Sequence, residues 1–121
     1  GMFESVNLPS LVQMNSIYQF QACTKLRIFK ALKVEVIGQQ CFQLCDNLET
    51  VIAPKAEIRH RAFSKCGLLK AVCALKSQFN CTCNKCPKCL GSFEQCLHRG
   101  QAYHMLNRIH ELNQQGQLLM N

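Results

Sequence analysis

The stretch Asn80-Cys81-Thr82-Cys83-Asn84-Lys85-Cys86-Pro87-Lys88-Cys89 carries four thiols, with only Asn, Thr, Lys and one Pro between them. A C-x2-C turn places two sulfurs at the separation that one tetrahedral ion requires. The turn occurs twice in overlap, Cys83 to Cys86 and Cys86 to Cys89, which supplies three ligands. Cys96 is the expected fourth, ahead of Cys81 and His98. The expected metal centre is therefore Cys83, Cys86, Cys89 and Cys96 around Zn2+, in a knuckle spanning residues 80–96. Lys85 and Lys88 favour the thiolate that binds metal, as does the positive end of a helix starting just beyond. With no hydrophobic side chain to pin it, the connector is expected to owe its order to the ion. Structural zinc contributes on the order of 10 kcal/mol in finger peptides.

Two other chemistries use the same residues. C-x2-C-x2-C matches part of a ferredoxin-type spacing, so a [4Fe-4S] cluster in an electron-transfer or redox-sensing protein is the alternative. Ten cysteines is an even number, and Asn80-Cys81-Thr82 is a formal glycosylation sequon, which together describe a secreted disulfide-rich helical effector as a second alternative. The three-residue spacing favours metal, and a reduced, cytoplasmic protein is the expectation. The segment CPKCLGSF also resembles half of a DnaJ-type C-x2-C-x-G-x-G repeat, with Phe93 in place of the last glycine. That resemblance implies zinc bound through cysteine pairs.

Apolar spacing elsewhere predicts an all-α fold, one four-helix domain over residues 2–121. The first helix runs from about Pro9 to Lys33 on the stripe Leu11, Met14, Tyr18, Ala22, Phe29 and Leu32. The second, about Val36 to Ile52, buries Ile37, Cys41, Leu44, Cys45, Leu48 and Val51. Pro54 opens a third, about Lys55 to Phe79, whose segment GLLKAVCAL is apolar nearly all round and suits a homodimer interface. The fourth begins at Ser92, which forms a capping box with Gln95, and is interrupted at Gly100. Beyond it Ala102, Met105, Leu106, Ile109 and Leu112 form a core-facing stripe, and the tail after Gly116 frays. Cys23, Cys41, Cys45, Cys66 and Cys73 read as small core hydrophobes. No internal repeat is legible on this reading.

Fourteen Lys and Arg against seven Asp and Glu give a net charge of +7 and a pI near 9.0, which favours polyanionic partners. Lys25, Arg27, Lys30, Arg59, Arg61, Lys85 and Lys88 are the expected phosphate contacts. No phosphate loop, dinucleotide fingerprint, zinc-protease motif or nucleophile elbow is present, so an enzyme is not expected. No apolar run reaches membrane-spanning length. The combined expectation is a zinc-stabilised basic helical protein acting as a regulatory or accessory factor on DNA or RNA.

Overall fold

The computed structural model describes residues 4–14 and 20–114. Among these the chain forms six strands and one helix: β1 Ser5–Asn7, β2 Gln13–Met14, β3 Ile28–Lys30, β4 Val36–Ile37, β5 Thr50–Ile58, β6 Ala71–Ser77 and α1 Phe93–Gln114. Every strand pairing is parallel. One ladder stacks Ser5, Ile28, Thr50 and Ala71 in register. A second stacks Gln13, Val36, Glu57 and Lys76. The chain thus returns over itself about every 22 residues, winding a parallel β-solenoid. This overturns the all-α, four-helix expectation.

The sequence that closes each coil is Phe-x-x-Cys-x-x-Leu. It occurs as Phe20-Cys23-Leu26, Phe42-Cys45-Leu48 and Phe63-Cys66-Leu69. Two turns bend it, with the Cys N–H donating to the Phe carbonyl and the Leu N–H to the Cys carbonyl in all three coils. Left-handed residues make the arc tight: Ala22, Leu44 and Lys65 have φ of 56°, 65° and 65°. Between coils the same arc is tied by Phe20 N–H to Cys41 O and Phe42 N–H to Ala62 O, at 2.8 and 3.0 Å. The rest of each coil supplies the long connection that parallel strands require.

Inside, like residues stack on like. Phe42 is fully buried, stacked on Phe20 and Phe63 at 5.5 and 5.6 Å and edge-on to Phe29 at 4.9 Å. The thiols line up beside the rings. Cys45 Sγ donates to Phe20 O and Cys66 Sγ to Phe42 O, each at 3.0 Å, so a buried thiol satisfies a carbonyl of the preceding coil. Burial pushes the Cys45 thiol up to about 12 and the Cys66 thiol higher still, which keeps both protonated to donate.

These columns explain the misread helices. Residues three apart face inward because successive turns bend the chain, and that step mimics one turn of an α-helix. Ile37, Cys41, Cys45, Leu48 and Val51 are indeed all buried, but on β4, a turn arc and β5. The segment expected as the first helix holds β2, β3 and turns; Tyr18 lies outside the described residues. The third, Lys55 to Phe79, is the rest of β5, an arc and β6, with Leu68 and Leu75 exposed. The same three-residue step masks the repeat in the linear sequence.

α1 is continuous through Gly100, and it packs on β6. Arg99 Nε donates to Lys70 O at 2.8 Å, and Cys96 Sγ to Leu69 O at 3.5 Å. These bonds fasten the helix to the two residues just before β6, and its packing covers the strand that would otherwise offer an open template to another chain. Gly100 permits the approach, because a Cβ there would collide with the peptide group joining Val72 and Cys73. The second half of α1 extends beyond this contact. Met105, Leu106 and Ile109, expected in a buried stripe, are exposed, and the tail after Gly116 is outside the described residues.

Two substitutions test this architecture. Phe42→Ala should lower stability by about 3 to 5 kcal/mol, measured by chemical denaturation, since it removes the ring at the centre of the stack. Gly100→Ala should destabilise by about 1 to 3 kcal/mol and release α1 from β6, seen as faster amide exchange over residues 71–77.

Candidate functional site

Two features outside the core carry chemistry: the outer face of the ladders and the thiol loop. On the ladders, charges pair between coils. Arg27 Nε lies 3.0 Å from Glu49 Oε2, and Lys70 Nζ lies 3.7 Å from Glu49 Oε1. Glu57 is shared by Arg59 of its own coil at 2.9 Å and Lys76 of the next at 3.1 Å. Beside this second group a shallow groove of about 430 Å³ is lined by Glu35, Val36, Lys55, Glu57, Arg59, Leu75 and Lys76. Its floor is the second ladder, so backbone hydrogen bonding fixes the spacing of these side chains.

The thiol loop leaves and re-enters the core at one place. Phe79 and Phe93 are both buried and meet edge-on at 4.9 Å, and Phe63 packs against both. Cys81 and Cys86 are themselves core residues. The expectation that nothing apolar pins the connector is therefore corrected: aromatic rings hold its ends and two of its own cysteines turn inward.

The sulfurs of Cys81, Cys83, Cys86 and Cys89 lie within 4.8 Å of one another. Cys89 Sγ is 3.8 Å from Cys83 Sγ and 3.6 Å from Cys86 Sγ. Cys83 Sγ also accepts three backbone N–H groups, from Lys65 at 3.2 Å, Cys86 at 3.3 Å and Lys85 at 3.4 Å. Burial pushes the Cys83 thiol up, but the N–H groups of Lys85, Cys86 and Lys65 and the Cys81 side chain outweigh it and bring it down to about 6. Burial dominates at Cys86 and pushes that thiol up. Asn84, with φ of 67°, turns the chain so that the amides point at Cys83.

The structure brings together Cys83, Cys86 and Cys89 of the predicted set, and Cys81 with them. Cys96 stands apart, buried on α1 with its sulfur against Leu69 O, and His98 is exposed on the same helix. Sequence spacing did not separate Cys81 from Cys96 because the helix axis is set by packing on β6. The basic residues do not form one surface. Arg27 and Lys30 belong to β3 and its approach, Arg59 and Arg61 follow β5, Lys85 and Lys88 are on the thiol loop, and Lys25 is exposed on the first arc. Arg27 and Arg59 are already paired with Glu49 and Glu57.

Short coils with inward Phe, Cys and Leu columns and two parallel ladders define a leucine-rich-type solenoid. A family profile described as "BspA type Leucine rich repeat region" matches residues 2–86 in six copies, ending within the thiol loop. The chain belongs to that family. No curated protein and no solved structure matches it. The expected zinc-stabilised helical factor on DNA or RNA is overturned by this membership and by the solenoid. No helix among the described residues is long and apolar enough to cross a membrane.

The pairing at Glu49 sets a pH dependence. The hydrogen bond from Arg27 is the main cause that holds its carboxyl below the ordinary value of 4.5, aided by the charges of Arg27 and Lys70 and opposed by burial. A depressed carboxylate contributes stability that is full above about pH 4.5 and lost as pH falls through its folded value. Acid titration followed by circular dichroism should show this loss in the wild type. In Glu49→Gln the contribution should be absent and the acid limb shallower, and the difference should shrink in high salt.

Proposed function

We propose that this chain is a protein-recognition module, with the outer face of the second ladder as its binding surface. The observation that carries the reading is the combination of family membership with a rigid groove holding paired charges around an exposed apolar side chain. Leu75 is 68% exposed on β6 at one side of this surface, whose lining also includes Glu35, Val36, Lys55 and Lys76. Solenoids present extended surfaces because each coil contacts only its neighbours, so outward residues are free to vary without disturbing the core. An exposed leucine in a groove lined by both signs of charge suits a peptide or protein surface, with apolar contact supplying affinity and charge fixing register.

The test is binding of the purified chain to an array of immobilised peptides. Retention on a subset of peptides, lost in the double variant Leu75→Glu, Lys76→Glu with an unchanged circular dichroism spectrum, supports the reading. Binding to no peptide, or binding that survives the double variant, overturns it.

A further inference from the structure

We propose that Cys81, Cys83, Cys86 and Cys89 form a mononuclear tetrathiolate site for a divalent d10 cation, Zn2+ foremost, placed where the repeat region gives way to α1. The argument begins with distance. Thiolates about 2.3 Å from a tetrahedral ion lie about 3.8 Å from one another. The measured separations of 3.8 and 3.6 Å from Cys89 match that edge, and all four sulfurs fall within 4.8 Å, so closure around one ion needs only side-chain adjustment. A disulfide requires about 2.05 Å between sulfurs, and none of the four is bonded to another. A [4Fe-4S] cubane, with an iron at each ligated corner, holds its four thiolates much farther apart than a single ion does.

The surroundings of the sulfurs give a second line of argument. Neutral thiols are weak acceptors, yet three backbone N–H groups converge on Cys83 Sγ. Two come from the residues two and three places after Cys83, so the C-x2-C turn itself supplies the donors. The third, from Lys65, comes from the preceding coil and ties the site to the solenoid. Four thiolates around a dication carry a net charge of −2. Lys65, Lys85 and Lys88 are all exposed next to the cluster and balance it. Coordination forms four metal–sulfur bonds, and each remaining thiol proton is released to solvent.

The Phe79–Phe93 contact holds the two ends of the loop together, so the ion would fix the residues between them, with Cys81 and Cys86 joining the site to the core. Its ligand set also differs from the one sequence spacing suggests, and this makes the site testable at single residues.

The experiment uses the full chain, purified reduced and freed of metal, and titrated with Co2+ and then Zn2+ without oxygen. One equivalent of Co2+ should give intense thiolate-to-cobalt charge transfer in the near ultraviolet and the visible bands of a tetrahedral sulfur site, both displaced by one equivalent of Zn2+. Cys81→Ser should weaken Zn2+ binding by more than about 100-fold, beyond the loss of an outer-shell partner, while Cys96→Ser leaves it unchanged. If Cys81→Ser does not fold, Cys89→Ser, at a half-buried position, carries the same expectation. Absence of the charge-transfer band overturns the proposal. So does binding lost in Cys96→Ser but kept in Cys81→Ser, or a brown protein containing four irons per chain.

Discussion

A parallel ladder holds only if the chain comes back over itself with like backbone positions aligned, and that constraint governs the rest of this protein. Each coil bonds to the next through its strands and also through its arc, where Phe and left-handed residues recur at equivalent places. Alignment of the backbone forces alignment of side chains. Ring therefore meets ring along Phe20, Phe42 and Phe63, and thiol meets carbonyl along Cys45 and Cys66. A cysteine fits the inner column because it is small, apolar and still able to donate one weak hydrogen bond.

The same ladder creates a liability at its last strand. β6 pairs with β5 on one side only. α1 packs on it, the absent side chain at Gly100 letting the helix approach the strand backbone, while Arg99 and Cys96 bond to the carbonyls of Lys70 and Leu69 just before the strand. The thiol loop links these two parts. Its position follows from the need to carry the chain from β6 to the cap while the aromatic contact between Phe79 and Phe93 keeps the two ends together.

Charge takes on a different meaning once the coils are stacked. A net charge of +7 suggests a polyanion when the residues are read along a line. Folded, Glu49 holds Arg27 and Lys70 from the coils on either side, and Glu57 holds Arg59 of its own coil and Lys76 of the next. Lys25, Lys30, Arg61, Lys85 and Lys88 are spread over the first arc, β3, the turn after β5 and the thiol loop. What the surface offers is a pattern of paired charge beside apolar points, the feature on which the proposed recognition role rests.

The sequence by itself determined much of what is inside. Met14, Phe29, Ile37, Cys41, Cys45, Leu48, Val51, Leu69 and Val72 were legible as buried from hydrophobicity and spacing alone, because transfer from water depends on side-chain chemistry and not on the element that carries it. The repeat was also written there, as Phe-x-x-Cys-x-x-Leu at residues 20, 42 and 63. Its three-residue step was indistinguishable from helical periodicity without knowing where the chain turned. Cysteine density at residues 81–89 marked the site. Only the tertiary structure decided that Cys81 joins Cys83, Cys86 and Cys89 while Cys96 turns toward Leu69, and that Leu75 and Leu106 face solvent. Those outcomes depend on contacts between residues distant in the chain, and such contacts exist only after the coils have stacked.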